Sequence, residues 1–337
     1  MKHANISLFV PHMGCPHQCS FCNQKTISGS VKELTPEEVT ETLQVACGAE
    51  NNPCSTEIAF FGGSFTAIDR AYMLSLLEAA KPFVDKGDFM GIRISTRPDA
   101  INEEVLSLLK DFGVTAIELG AQSTDEEVLR LNNRGHSRED IINASQLIKK
   151  YGFSLGLQMM TGLLGDTDEK SLKTCEDIIS LRPDTVRIYP TITLEGTRLG
   201  ELYLKGEYSP QSLESAVSLC AKLLKRLHEE EITVIRLGLH SGGNVEEGYL
   251  AGPYHQAFGE LCEGQIYLDI AKSILEEYPD GDYVIYVNPS EISKMTGQKK
   301  KNKNTLLSLG YNVTIKSKSK LNKYEIEVKP LEASDER

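Results

Sequence analysis

Three thiols stand within eight residues near the start of this 337-residue chain, in Cys15-Pro-His-Gln-Cys19-Ser-Phe-Cys22. Thiolates spaced this closely converge on one metal centre. Iron–sulfur clusters are held by cysteine thiolates, and a four-iron cluster ordinarily takes four of them. Three leave one iron open to a ligand from outside the protein. Zinc is the alternative, because His12 or His17 would complete a tetrahedral set. The other five cysteines, at 47, 54, 175, 220 and 262, are scattered, and their expected role is that of small buried hydrophobes.

The chain carries 36 basic and 48 acidic residues, a net charge of −12, with 40% hydrophobic and 25% charged residues. That is the composition of a globular chain able to bury a large core. It excludes a disordered, collagenous or disulfide-rich miniprotein class. The first apolar run, residues 6–10, is too short for a signal-peptide core or a membrane span. The expectation is a cytoplasmic protein without a membrane partner, its thiols kept reduced.

Something must position the thiols, and the pattern around them alternates strand and helix. Short apolar runs predict strands over 6–10, 57–61, 91–95, 115–119, 153–158, 185–189 and 233–237. Helical periodicity falls between them, over 36–49, 71–84, 103–112, 138–151, 169–181 and 212–229. Thr35 followed by Pro36 marks a helix start. Alternation of this length predicts right-handed crossovers and a parallel sheet. Six or seven such units make an incomplete TIM-type β/α barrel, with chemistry on the loops at the strands' C-terminal ends. The cysteine motif follows the first expected strand directly. The expected organisation is a barrel over 1–250, a connecting helical segment over 251–280, a small basic α+β domain over 281–330 and a tail over 331–337.

The CxxxCxxC spacing resembles that of the radical S-adenosylmethionine (SAM) superfamily. The likeness continues in Phe60-Phe61-Gly62-Gly63-Ser64-Phe65, Ile94-Ser-Thr-Arg-Pro-Asp99, Ile117-Glu-Leu-Gly-Ala-Gln-Ser123, Asn133-Arg-Gly-His136, Met159-Met160 and Arg182-Pro-Asp with Ile188-Tyr-Pro190. Over about residues 6–240 it is similar to the radical domain of the Elongator catalytic subunit, which modifies wobble uridine in tRNA. More distantly it is similar to oxygen-independent coproporphyrinogen oxidase. The resemblance implies a 4Fe–4S cluster on Cys15, Cys19 and Cys22, with SAM chelating the fourth iron and yielding a 5′-deoxyadenosyl radical. It further implies that Phe21 lies against adenine and that the Gly62-Gly63-Ser64 loop meets SAM's amino group. By the same likeness, Gln122 and Arg134 contact its ribose and carboxylate, Gln158 lies near the adenosyl group, and flavodoxin or ferredoxin supplies electrons. Ser95 stands where related sequences commonly carry a glutamate. No acetyltransferase-like segment follows the barrel pattern, so the Elongator product is not expected from this polypeptide alone.

The last hundred residues change in character. Helix, strand, short helix, helix and a closing hairpin are expected over 265–277, 282–287, 290–296, 301–309 and 311–328. Residues 291–329 hold ten lysines and three acids, so the rest of the chain is strongly acidic. A Gly-containing turn between two helices resembles the KH fold, whose Gly-x-x-Gly turn clamps nucleic-acid backbone. Here the turn reads Gly297-Gln298-Lys299-Lys300, with lysine in place of the second glycine. That keeps phosphate attraction and gives up close backbone approach, which predicts looser sequence reading and steep salt dependence. The residues expected to meet RNA are Lys294, Gly297, Gln298, Lys299, Lys300, Lys301 and Lys303.

Arg236, His240, Tyr254 and His255, on or after the last barrel strand, are the candidates for catalysis; a buried, hydrogen-bonded role at a seam fits them equally. The expected function is radical SAM modification of tRNA or ribosomal RNA. The alternatives are a radical SAM oxidoreductase acting on a small molecule or porphyrin, and a non-catalytic iron–sulfur carrier or chaperone.

Overall fold

A computed structural model describes residues 5–10, 18–23, 32–48, 55–239 and 245–331. No helix among them is long and apolar enough to cross a membrane. The chain forms two compact units, the first of residues 1–212 with 227–254, the second of 213–226 with 255–337.

In the first unit strands β1 (Asn5–Val10), β2 (Glu57–Gly62), β3 (Ile92–Thr96), β4 (Val114–Gln122), β5 (Ser154–Thr161), β6 (Thr185–Pro190) and β8 (Thr233–Leu237) form one sheet in the order β1-β2-β3-β4-β5-β6-β8. Every neighbouring pair is parallel. Because β1 and β8 do not pair, the sheet curls into a half-barrel and does not close. Between the strands run α1 (Pro36–Gly48), α2 (Arg70–Asp85), α3 (Glu103–Asp111), α4 (Glu126–Leu131), α5 (Arg138–Lys150) and α6 (Asp168–Ser180). A two-stranded ribbon of β7 (Thr193–Leu194) and β9 (Tyr249–Ala251) stands apart, with α7 (Arg198–Leu204) and α9 (Val245–Gly248) beside the strands in sequence, while α8 (Leu213–Glu229) belongs for most of its length to the second unit.

The helix starts follow from local chemistry. Thr35 and Glu38 exchange side-chain and backbone hydrogen bonds just before α1. Asp69, Asn102, Asp125 and Thr167 each accept a backbone N–H at the start of their helices, and Ser137 with Asp140 makes a capping box. Each cap satisfies donors that the first turn leaves open. Helix α4 is absent from the sequence expectation, its six residues giving too short a periodic signal.

Parallel strands covered on both faces read as continuous apolar runs; these do not. Ile58, Phe60, Ile94, Ile117, Leu119, Leu157 and Ile188 are fully or almost fully buried, and they alternate with Glu57, Arg93, Glu118, Gln158 and Arg187. One face of the sheet therefore packs under the helices, while the other is lined with charge. β4 and β5 also run three residues further than predicted, because their last residues still pair across a bulge between Gly120 and Gln122.

The second unit holds α10 (Phe258–Leu275), β10 (Gly281–Val287), α11 (Ile292–Thr296), α12 (Lys301–Ser308), β11 (Tyr311–Ser317) and β12 (Glu327–Pro330). Its sheet order is β11-β10-β12, β10 pairing parallel with β11 and antiparallel with β12. The expected closing hairpin is thus incorrect, since β12 lies on the far edge of β10. The connection after β11 is carried across by Lys318 N donating to Val287 O at 2.8 Å and Asn288 Nδ2 donating to Leu321 O at 2.8 Å. Helix α10 falls inside the expected connecting segment 251–280 and packs within the second unit, where Asn302 Nδ2 donates to Gly264 O.

Candidate active site

The cysteine loop is tied to the C-terminal end of α4. Ser20 N donates to Asn132 O and Ser20 Oγ to Asn132 Oδ1, and Cys22 N turns back onto Cys19 O at 3.1 Å. Cys19 is buried and Cys22 half-exposed. Phe21 beside them is half-buried. Cys15, His12, His17 and His240 lie outside the described residues.

Arg134 joins this loop to the sheet. Its Nη1 donates to Cys19 Sγ at 3.1 Å and its Nη2 to Gly120 O at 2.6 Å. The backbone carbonyl of Arg134 in turn receives Arg97 Nη2 at 2.6 Å, and Arg97 grips Asp99 with two bonds of 2.9 Å. Motifs separated by up to 115 residues thus meet at the C-terminal ends of β3 and β4.

Five buried polar atoms there have no partner among the described residues: Ser95 Oγ, Arg97 Nη1, Gln122 Oε1, Arg134 Nε and His136 Nδ1. Folded proteins rarely leave buried polar atoms unpaired, and five in the motifs at and just beyond the ends of β3 and β4 fit a ligand with several polar groups. Gln122 reaches its position through a left-handed backbone, φ 66°, a conformation that costs a non-glycine residue roughly 1 to 2 kcal/mol. Burial, joined by the Arg134 and Arg97 charges, pushes the His136 imidazole down to about 4. It is neutral at physiological pH, with its Nε2 on Ala121 O at 3.2 Å.

Two structural details bear on the expected SAM contacts. A Cβ on Gly62 (φ 122°) would fall on the Val10 carbonyl oxygen, so this glycine lets β1 lie close beside β2. Gly63 N donates to the same oxygen at 3.3 Å, and Ser64 is buried. Arg134, expected at SAM's carboxylate, gives one bond from each terminal nitrogen to protein atoms, which leaves a second N–H on each.

Gln158 belongs to a network that sequence reasoning missed. Its Nε2 donates to Glu118 Oε2 at 2.9 Å, and Glu118 takes Arg187 through two bonds of 2.7 and 2.9 Å. Arg93 reaches Glu118 at 3.3 Å and Glu57 at 2.7 Å. Burial works against the Arg187 charge, but Glu118 outweighs it and the pKa is raised. Charges at every second position of otherwise apolar strands were the available signal.

Of the catalytic candidates Arg236, His240, Tyr254 and His255, the structure describes all but His240. Arg236 lies on the charged face of the sheet. Tyr254, its hydroxyl buried without a partner, packs on Ile192 and Leu194. His255 Nδ1 accepts Ala257 N at 3.0 Å just before α10.

In the second unit Lys294 is drawn inward, paired with Glu263 at 2.8 Å and Glu291 at 3.0 Å; its charge is cancelled within the fold. Gly297 (φ 76°) abuts Asn302, which a Cβ would meet at 2.8 Å. Lys299 and Lys300 both adopt left-handed backbone, φ 51° and 63°. Gln298, Lys299, Lys300 and Lys301 are exposed and Lys303 is half-buried. No ion pair joins these four lysines to a carboxylate among the described residues.

Comparison with known proteins accords with this geometry. The profile of the radical SAM superfamily matches residues 9–178, and that of the radical SAM C-terminal domain matches 183–267. The chain is 39% identical over 129 residues to a tRNA uridine(34) acetyltransferase of Methanocaldococcus infernus, covering 37% of this chain and 24% of that protein. It is 35% identical over 138 residues to Elongator complex protein 3 of Homo sapiens, covering 40% and 25%. The chain thus spans about a quarter of the length of each of these relatives. Among solved structures, the archaeal Methanocaldococcus infernus Elp3 with an N-terminal deletion has the same fold, with a TM-score of 0.59 at 22% identity over 82% of this chain and 64% of that one.

Proposed function

The chain belongs to the radical SAM superfamily and is a radical SAM enzyme whose cofactors are a 4Fe–4S cluster and SAM; from that premise we infer that it modifies RNA, either tRNA or ribosomal RNA. When bound, the two groups supply a 5′-deoxyadenosyl radical for hydrogen abstraction from the substrate, while the protein binds, aims and shields. Cys15, Cys19 and Cys22 hold the cluster. Ser95, Gln122, Arg134 and His136 present the unpartnered atoms that suit SAM's polar groups, and we assign Phe21, Gly62, Gly63 and Ser64 to the same ligand. A soluble electron carrier such as flavodoxin or ferredoxin reduces the cluster in the cytoplasm.

The observation that carries the RNA reading is the row Lys299, Lys300, Lys301 and Lys303, without carboxylate partners among the described residues, at a glycine turn and the start of α12. Two helices joining the parallel strands β10 and β11 around such a turn support a KH-like module that grips phosphate backbone. Likeness to tRNA uridine(34) acetyltransferases points to the same substrate class. A target base in structured RNA is presented unstacked, which costs a few kcal/mol that backbone contacts offset.

The test is nucleoside mass spectrometry of tRNA and ribosomal RNA from cells with and without the gene. Loss of one modified nucleoside is expected. An unchanged profile, with 5′-deoxyadenosine formation stimulated by a small molecule or porphyrin and not by RNA, overturns the reading. A cluster that never cleaves SAM with any RNA present overturns it in favour of a carrier.

A further inference from the structure

Of the charged side chains on the open face of the sheet, one keeps its charge uncompensated. Glu57 holds Arg93 at 2.7 Å. Glu118 receives four hydrogen bonds, from Arg187 Nε and Nη2, Arg93 Nη1 and Gln158 Nε2, which fill the acceptor sites of a carboxylate. Arg236 is the register partner of Arg187 on the adjacent strand. It has no carboxylate partner among the described residues. Its Nε donates to Gly238 O at 2.9 Å, and neither Nη group has an acceptor among the described residues.

A half-buried guanidinium beside a second arginine is unfavourable until an anion joins it. The electrostatics agree. Burial pushes the Arg236 pKa down and Arg187 adds to the fall, with only the Tyr189 phenol acting the other way. Position matters as well. Along the registers Arg236–Arg187, Arg187–Gln158 and Gln158–Gly120, Arg236 stands at the sheet level of Gly120, whose carbonyl holds Arg134. Three strand spacings of about 4.8 Å each separate the two residues across the curled sheet. An anion on Arg236 therefore lies within the same half-barrel as the unpartnered atoms assigned to SAM.

We propose that Arg236, flanked by Arg187 and Tyr189, binds a phosphodiester of the RNA nucleotide presented for hydrogen abstraction. The proposal rests on the RNA reading above. A guanidinium offers two parallel donors that match two phosphate oxygens. Arg187 has its charge matched by Glu118, which takes its Nε and Nη2, whereas Arg236 has no such partner among the described residues. The module in the second unit captures RNA by its backbone, whereas Arg236 fixes one phosphate near the reacting carbon. Small acids with a carboxylate share the oxyanion chemistry, and the experiment separates them from RNA.

The test uses the cluster-loaded full chain and phenylglyoxal, which attacks arginines whose nitrogens are free, with peptide mass spectrometry reading Arg236 and the bonded Arg187 as an internal control. Inorganic phosphate and bulk tRNA are each expected to slow modification of Arg236, while acetate at equal ionic strength is not. In parallel, Arg236→Gln is expected to raise KM for the RNA about tenfold, the loss of one charge-assisted bond, with KM for SAM unchanged and with Arg236→Lys intermediate. Arg236 reactivity indifferent to both phosphate and tRNA overturns the proposal. Protection by acetate alone overturns it in favour of a carboxylic acid. If tRNA fails to bind the wild-type chain in a gel shift while phosphate still protects Arg236, it is the RNA reading that has failed, and the phosphodiester assignment falls with it although the oxyanion site stands.

Discussion

Arg134 Nη1 lies 3.1 Å from Cys19 Sγ, so a cation held by the end of β4 donates to one of the three thiols of the cluster motif. A donor and a positive charge on a ligating sulfur stabilise the more negative, reduced cluster, and hydrogen bonds to sulfur are among the known determinants of cluster potential. Replacing Arg134 with Gln is expected to lower the cluster's midpoint potential by on the order of tens of millivolts. Redox titration followed by electron paramagnetic resonance measures it; an unmoved potential in a fully loaded variant would show that the contact does not act on the cluster.

Glu118 is almost wholly buried and joins two arginines. Removing one partner of a buried pair leaves charge uncompensated and costs about 3 to 5 kcal/mol. Glu118→Leu is expected to destabilise the first unit by that order, seen as a lower urea midpoint by circular dichroism. A midpoint equal to that of the wild-type chain would mean the arginines find water instead.

His136 makes stability depend on pH. Its folded-state pKa of about 4 lies below the ordinary 6.5, so the unfolded chain takes up the proton first. The contribution of the neutral ring is complete above pH 6.5 and is lost as the pH falls toward about 4, amounting to about 3 kcal/mol over that window. His136→Gln is expected to flatten this part of the profile. Urea unfolding at stepped pH values compares the two proteins, and parallel profiles would contradict the assignment.

Gly62 bears the contact between β1 and β2. Gly62→Ala adds a Cβ against the Val10 carbonyl oxygen and strains a φ of 122°, which costs more than the roughly 1 kcal/mol of an ordinary glycine substitution. Because β1 leads into the cysteine motif, iron content after anaerobic reconstitution is expected to drop together with thermal stability. Full iron loading in the variant would refute the coupling.

The lysines of the second unit divide into two kinds. Neutralising Lys299, Lys300 and Lys301 to Gln is expected to weaken RNA binding and to flatten the slope of log affinity against log salt by about 0.7 per lost phosphate contact on single-stranded RNA. Lys294→Gln is expected to leave that slope alone and to lower stability, because its ion pairs are with Glu263 and Glu291. Gel shifts across a salt series, beside thermal melts, separate the two kinds. An unchanged slope in the triple variant would remove these lysines from the interface.

Much of this protein is written in short stretches of its sequence. The cysteine spacing, the seven parallel strands and caps such as Thr35 with Pro36 and Ser137 with Asp140 follow from interactions between residues a few positions apart, which any short segment carries with it. The pairing of Glu118 with Arg187, 69 residues away, and of Arg134 with Cys19, 115 residues away, is of another kind. So are the choice of β10's far edge by β12 and the withdrawal of Lys294 into ion pairs. Each is decided by distance in space and by the poorly screening interior that makes a nearby opposite charge valuable, and neither exists until the strands have taken their places in the sheet.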